Sequence, residues 1–429
     1  MGIRYSMMVA ATAALLAASN ASAFEFHGYF RDGPGWNSKG GGQVCFAMPG
    51  SEFKARLGNE CEHYYEFSLS EQIYKDQNGV EAKVEWMPAY GLPTTTPAGS
   101  GGNFGFGTGN VYTQQIWGGI KLPGGTTVWA GQRYFRRHNV EGLDWFYWNP
   151  YQGNAAAGVE DIDLGFGKLA LSIGRVDALT VGTTPVDVTR GTYMRPEARI
   201  YGIPLVANGT LELGVDVDIA YDQGSALGAG RTGTSPWFTA EYFQDKLLGG
   251  WNKLTFQYAS GAAAGMNTGV VGGANSDPKQ WRIVEQLVFL LGNDVSGQLA
   301  LVYQDSSNFL IGGLASTAAG GATGEHIFSA ELRPSYHFND YFKFQLDGLY
   351  QTVSFKDSTA SSANMFKLTA APTLVTGRGF FARPEIRAYV TYATWNDSAQ
   401  TLAAGNIASG AFGSDKNGLS FGVQMETWF

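Results

Sequence analysis

Charge and cysteine are both scarce in this chain of 429 residues. Charged residues make up 15% of it, and the net charge of −8 argues against nucleic-acid binding, because phosphate recognition needs a basic surface. No apolar run of about 18 residues follows the N-terminal segment, so no helical membrane span is expected. The sequence contains no H-E-x-x-H, and its five histidines form no cluster at ligand spacing. It therefore indicates neither a metal nor a cofactor.

The first 23 residues have the features of a secretory signal peptide. Arg4 provides the positive start, residues 7–18 are apolar, and residues 21–23 read Ala-Ser-Ala, an A-x-A cleavage site. Cleavage there would leave residues 24–429, in which no domain boundary is visible. Cys45 and Cys61, the only cysteines, are expected to form a disulfide worth about 3 kcal/mol in the chain-entropy model. Two thiols alone make a poor metal site.

Glycine and aromatic residues are abundant, at 59 glycines and 14% aromatics. Period-two alternation runs through the chain, and in the last segment Leu419, Phe421 and Val423 oppose Ser420 and Gln424. Tight turns are predicted near residues 167–168, 208–209, 292–294 and 339–340, between longer polar loops. Short turns alternating with long loops are typical of an outer-membrane β-barrel, here of about 16 to 18 strands. A soluble sandwich also alternates, but the signal peptide, the single long domain and the terminal Trp428-Phe429 favour the barrel.

The stretch Gly131–Asn149 combines charges with six aromatic residues. Unpaired charges are very costly in an apolar core, so the stretch suits the wall of a water-filled passage that holds a polar solute against flat rings. A solvated surface segment is the alternative interpretation.

Aromatic residues that fall in the polar phase of a strand are the informative ones, since that face should meet water. Rings beside hydrogen-bonding groups bind pyranoses, because the C–H face of the sugar packs on the ring while its hydroxyls bind charged partners. Five large rings from distant strands fall in that phase: Tyr29, Tyr64, Trp251, Trp395 and Trp428.

Segments from the start of the mature chain to its last residue resemble the LamB-type maltoporin family. They are FHGYFRDGPGW, CF…RLGNECE, WAGQRYFRRHNV, LDWFYW, VEDIDLGFGKLAL, LGGWNKL, RPEIRAYVTYATW and FGVQMETWF. The resemblance implies an all-β fold, an 18-stranded antiparallel transmembrane barrel with a third loop folded inward to constrict the pore. It also implies a homotrimer in the outer membrane of a Gram-negative cell.

The resemblance further implies which residues act. The five rings named above would form an aromatic slide for sugars, with an ionic track beside it. The track would consist of Arg31, Arg56, Glu66, Arg137 and Asp144. Cys45 and Cys61 match the first-loop disulfide of the family, and Gly131–Asn149 matches the inward loop.

Some positions depart from the family pattern. Residues 93–109 lack the tryptophan that reaches the slide from a neighbouring subunit, so Phe104 is the candidate there. Phe146 replaces the constriction tyrosine, and Asn139 and Asn149 replace acidic residues. Fewer fixed acids at the constriction should change which sugars are preferred.

The predicted function is facilitated diffusion of maltose- or maltodextrin-like oligosaccharides, without covalent chemistry. Alternatives are a porin for sucrose or β-glucosides, a general diffusion porin, and an outer-membrane enzyme. A plugged siderophore transporter is disfavoured because no plug-sized N-terminal domain is present. Expected partners are sugars, outer-membrane lipid and two further copies of the chain, and a bacteriophage is a candidate partner for the long loops.

Overall fold

The computed structural model describes residues 24–93, 110–151, 154–177, 192–220, 233–268, 277–311, 314, 317–403 and 407–429. The predicted signal peptide and Phe104 lie outside these ranges. Among the described residues, no helix has the length and apolar character needed to cross a bilayer. The strands are β1 (Glu25–Asp32), β2 (Gly35–Asn37), β3 (Glu62–Lys75), β4 (Glu81–Pro93), β5 (Asn110–Lys121), β6 (Thr127–Gln132), β7 (His138–Val140), β8 (Trp145–Trp148), β9 (Ala155–Asp163), β10 (Lys168–Asp177), β11 (Thr192–Val206), β12 (Gly209–Ala220), β13 (Gly233–Leu247), β14 (Gly250–Ser260), β15 (Lys279–Leu291), β16 (Val295–Ser307), β17 (Gly324–His337), β18 (Phe342–Lys356), β19 (Ala363–Val375), β20 (Glu385–Trp395) and β21 (Asn417–Trp428).

The main sheet closes on itself as an antiparallel barrel. β1 pairs with β21, placing Tyr29 opposite Trp428, and on its other side with β3, placing Tyr29 opposite Glu66. Within the described residues, the sheet has 19 strands. Because β2 continues β1 along the same partner, β21, these two count as one position in the wall, and the barrel is 18-stranded. The predicted fold class is confirmed. Closure removes the free edges that an open sheet would expose.

The wall is apolar outside and polar inside. In β20, Ile386 and Val390 are 45% and 48% exposed on the outer face, whereas Glu385 and Arg387 are 0% and 1% exposed inside. A soluble protein would place these residue types the other way round. The arrangement suits a barrel whose outer surface meets lipid.

The predicted tight turns join neighbouring strands of the barrel. Leu164 donates its N–H to the carbonyl of Gly167 at 2.9 Å between β9 and β10, slightly before the predicted position. Asn208, with φ 59°, turns β11 into β12. Residues 292–294 join β15 to β16, and residues 338–341 join β17 to β18. At the other end of the barrel, the predicted polar loop 398–415 contains a short helix, α1 (Asp397–Leu402), whose N-cap Asn396 accepts from the Ala399 N–H at 3.0 Å.

The first loop, residues 38–61 between β2 and β3, also folds into the barrel, although only one inward loop was predicted. Side chains of the wall donate to its backbone carbonyls: Lys367 Nζ to Ala55 at 2.5 Å and Thr369 Oγ1 to Leu57 at 3.0 Å. These bonds satisfy carbonyls that would otherwise be buried without partners. The predicted disulfide Cys45–Cys61 is present, with Cα atoms 5.8 Å apart.

Loops and wall together build an apolar cluster inside the barrel. The first loop contributes Phe46 and Phe53, and the inward loop contributes Leu143 and Trp148, each at most 1% exposed. The barrel is therefore not an open tube, and its passage is restricted to the part that these loops leave free.

Candidate functional site

The inward loop Gly131–Asn149 and the residue after it are held by arginines of the wall. Arg199 donates to the carbonyl of Arg136 at 2.8 Å, and Arg195 donates to the carbonyl of Pro150 at 2.6 Å. Two further guanidinium groups, on β15 and β17, bind the carbonyls of Tyr147 at 2.5 Å and Gly142 at 3.1 Å. Bonds from a charged donor are stronger than neutral ones, so four of them fix the position of the loop in the barrel.

Gly142 is the point where the inward loop meets both the wall and the first loop. Its N–H donates to Gln298 Oε1 at 2.8 Å, and its carbonyl accepts from the Arg56 N–H at 2.8 Å. A Cβ at this position would lie 2.2 Å from Glu331 Oε2, closer than atoms can pack. A larger residue here would have to displace the carboxylate of Glu331 and the amide oxygen of Gln298.

The two faces of the inward loop have different surroundings. Trp145, Tyr147 and Trp148 are at most 4% exposed and pack in the apolar cluster. The Tyr147 hydroxyl donates to Glu241 at 2.5 Å, and burial together with that carboxylate raises the pKa of the phenol far above its usual value. The expectation that the whole stretch lines a wet passage is thus wrong for this face. The other face, with Arg137 and Phe146, lines a cavity.

This cavity, here called the neck cavity, has a volume of about 340 Å³. It brings together all six residues predicted for the ionic track and constriction, and three of the five predicted slide rings. Four further residues line the cavity that the sequence did not assign to the site: Gln114, Tyr134, Asn139 and Glu141. The lining comprises Tyr29, Arg31, Arg56, Tyr64, Glu66, Gln114, Tyr134, Arg137, Asn139, Glu141, Asp144, Phe146 and Trp428.

Arg56 is the electrostatic centre of the neck cavity. Its guanidinium bonds Glu60 at 2.8 Å and Glu426 at 2.7 Å, and it also pairs with Glu141. Burial lowers the pKa of Arg56, but Glu426 and Glu60 raise it more, so the pKa stands well above its usual value. The charge is therefore permanent and largely neutralised in place.

Asp144 is held on the inward loop with a φ of 51°. It pairs with Lys54 of the first loop at 2.9 Å. Burial raises the pKa of the Asp144 carboxyl, but Arg56 and Lys54 lower it more, and the net pKa lies below its usual value. Asp144 is therefore ionised at neutral pH and ties the two loops together.

A continuous row of aromatic rings leads away from the neck cavity. Ring centroids are 6.0 Å apart between Tyr64 and Tyr29, and 6.4 Å apart between Tyr29 and Trp428. Phe381 follows 6.4 Å from Trp428, and Trp251 follows 6.4 Å from Phe381 with the two planes 10° apart. Rings from five parts of the chain thus form one path along the inside of the barrel.

Phe381 is the member of this row that sequence reasoning missed. It lies in the turn between β19 and β20, where period-two alternation carries no information. The adjacent pair Phe380-Phe381 just before the RPEIR segment was the available signal. Phe380 is 6% exposed and supports Phe381 edge-on at 4.9 Å, leaving Phe381 38% exposed.

Trp395 does not lie in the row. Its ring is 5% exposed and packs 6.1 Å from Phe46 and 6.4 Å from Phe412 in the apolar cluster. Its Nε1 donates to Gln400 of α1 at 2.5 Å. The strand phase does point Trp395 inward, but the first loop and α1 cover it.

Residues 418–422 read G-x-S-x-G, the sequence pattern of the nucleophile elbow in serine hydrolases. In hydrolases that serine sits on a sharp turn between a strand and a helix. Here all five residues lie within β21, and Ser420 is buried with its Oγ donating to the Trp36 carbonyl at 3.2 Å. This occurrence does not have the geometry of a nucleophile elbow.

Comparisons with known proteins found a similar solved structure and a matching family model. A similar solved structure is Salmonella typhi OmpF in complex with daunomycin, with a TM-score of 0.45 and 11% identity over 95% of this chain and 97% of that chain. The family model described as LamB porin matches residues 24–429. The protein is accordingly an outer-membrane porin, and the chain belongs to the LamB porin family.

Proposed function

We propose that this porin is selective for sugars and lets oligosaccharides diffuse across a Gram-negative outer membrane. The observation that carries the proposal is the row Tyr64–Tyr29–Trp428–Phe381–Trp251, whose neighbouring ring centroids are 6.0 to 6.4 Å apart. A general diffusion pore has no use for a continuous apolar path inside a polar wall.

The row and the charged groups beside it act together on a sugar chain. Stacking tolerates translation, so a pyranose moves from one ring to the next without leaving the apolar surface. Its hydroxyls exchange partners one at a time among Arg31, Arg56 and Glu66. Each site has to bind weakly enough to release, as in any selective channel.

Maltodextrin-like chains are the proposed substrates among neutral sugars, and sucrose or β-glucosides are the alternatives. The functional unit is proposed to be a homotrimer in which Phe104 of a neighbouring subunit extends the row. The outer wall supports a membrane setting, because it carries large exposed apolar side chains such as Phe256, Phe366 and Val390.

Single-channel conductance in planar bilayers tests this function. Titration of the wild-type protein with maltotriose should block the ion current in a saturable way, with sucrose and a β-glucoside as comparisons. Trp428→Ala removes a ring between Tyr29 and Phe381 and should weaken the block roughly 2- to 12-fold, the contribution of one aromatic contact.

Trp36→Ala is the matched control, because this ring is 49% exposed on the outer face and contacts Phe421. Its sugar block should equal that of the wild type. A wild-type channel that conducts ions with no saccharide block would refute sugar selectivity and indicate a general diffusion porin.

A further inference from the structure

The positive charges of the neck cavity are balanced by carboxylates, with one exception. Arg31 pairs with Glu60 at 2.9 Å and with Glu62, and Arg56 has the three carboxylate partners described above. Within the described part of the chain, Arg137 forms no ion pair, although it lines the same cavity. Its charge is available to a ligand.

Aromatic rings hold Arg137 in place instead of carboxylates. Its guanidinium carbon lies 3.6 Å from the ring centroid of Tyr134 and 3.9 Å from that of Phe146. Contacts of this kind with two rings restrain the guanidinium plane while leaving the full positive charge, because a ring quadrupole attracts a cation without neutralising it. The side chain is therefore held in place without a carboxylate partner.

A fixed guanidinium is a good receptor for one chemical group in particular. Its planar fork of N–H donors matches a carboxylate in two parallel hydrogen bonds, and it stays protonated at every physiological pH. A neutral hydroxyl offers no charge to the fork and gains less from it.

We propose that Arg137 forms a subsite for the carboxylate of an acidic sugar, so that uronate-containing oligosaccharides bind this channel more tightly than neutral ones of equal length. This inference rests on the proposed sugar transport and specifies its substrate class.

The far end of the aromatic row carries a second weakly neutralised cation. Lys253 Nζ lies 5.4 Å from the ring centroid of Trp251, and its closest carboxylate, on Glu241, is 4.0 Å away. An acidic oligosaccharide that moves from Arg137 along the row thus meets a second positive group beside Trp251.

Glu66 provides an internal control of opposite sign. It lines the neck cavity and accepts a hydrogen bond from the Tyr64 hydroxyl at 2.7 Å, and among the described residues it forms no ion pair. Its negative charge repels an incoming carboxylate, so removing the charge should favour acidic sugars, whereas removing the charge of Arg137 should disfavour them.

The experiment compares current block by trigalacturonate and by maltotriose at constant ionic strength. The wild-type channel should bind trigalacturonate more tightly than maltotriose. Arg137→Gln should weaken binding of trigalacturonate on the order of 10-fold or more, as expected for loss of a charged hydrogen-bond partner, and binding of maltotriose by much less. Glu66→Gln should strengthen binding of trigalacturonate.

The outcomes separate this inference from the function on which it rests. Two results would overturn the carboxylate subsite while leaving sugar transport intact, provided that maltotriose blocks the wild-type channel. One is an equal loss of affinity for both sugars in Arg137→Gln, and the other is tighter binding of maltotriose than of trigalacturonate by the wild type. Absence of block by either sugar would overturn both. Circular dichroism and thermal unfolding of Glu66→Gln and Arg137→Gln that match those of the wild type show that the barrel and its loops have folded.

Discussion

Tyr29 shows how one side chain serves both parts of the site. Its ring lies between those of Tyr64 and Trp428, while its hydroxyl donates to Glu426 Oε1 at 2.9 Å. The hydroxyl also accepts from Arg31 at 3.2 Å. The ring thus stays in the row while the hydroxyl is fixed in the charged network, which is why tyrosine suits this position better than phenylalanine.

Phe381 connects the two halves of the row, so its loss should interrupt the path. Phe381→Ala opens a gap between Trp251 and Trp428, and we expect sugar affinity to fall roughly 2- to 12-fold. Phe381→Trp keeps a flat face there and should preserve the block. The measurement is maltotriose titration of single-channel current.

Phe421→Ala serves as the control for Phe381, since Phe421 is also 38% exposed but lies on the outer wall against Trp36. Equal affinities of Phe381→Ala and Phe421→Ala for maltotriose would contradict the role of Phe381 in the path.

The placement of individual rings could be predicted only where strand geometry determines it. Tyr29, Tyr64, Trp251 and Trp428 lie in strands, so period-two alternation gives their inward direction. Phe381 lies in a turn, where no such periodicity exists. For Trp395 the inward direction was predictable, but its cover by Phe46 and Phe412 depends on the loops.

The inward loop illustrates why folded loops are harder to predict than strands. Its sequence shows a mixture of charges and rings, but its anchors are on β11, β15 and β17, far away in the chain. Local patterns do not indicate which carbonyl will meet which guanidinium. The first loop is similar, since Arg56 pairs with Glu426 across 370 positions.

Gly142→Ala tests whether the inward loop sets the width of the passage. A Cβ there would collide with Glu331 and Gln298, so the loop should shift away from the wall and from Arg56. We expect a changed single-channel conductance and a sugar block weakened about 10-fold or more, because misplaced hydrogen-bond partners are costly.

Gly348→Ala is the matched control in the barrel wall, where the nearest atom to a new Cβ is 4.0 Å away. It should leave conductance and block unchanged. Wild-type behaviour of Gly142→Ala in both measurements would show that this contact does not position the loop.

The whole barrel is stabilised when its apolar outer surface is transferred from water into lipid. Leu368 lies near the middle of β19 and is 42% exposed on the outer face, whereas Asn364 lies near the end of that strand. A charge costs most at the centre of the bilayer and little at the interface.

Leu368→Arg should therefore destabilise folding into lipid vesicles by about 2–4 kcal/mol, and Asn364→Arg by about 0–1 kcal/mol. Reversible denaturant unfolding in vesicles measures both values. Equal costs at the two positions would contradict the assignment of this face to the hydrocarbon core.

The pairing of β1 with β21 has a consequence for biogenesis. Tyr29 meets Trp428, and Arg56 meets Glu426, only after β1 has paired with β21. An intermediate in which β1 and β21 have not paired therefore lacks this part of the ring row and of the charged network, even when other hairpins have formed. Under the proposed function, sugar binding would consequently report a completed barrel.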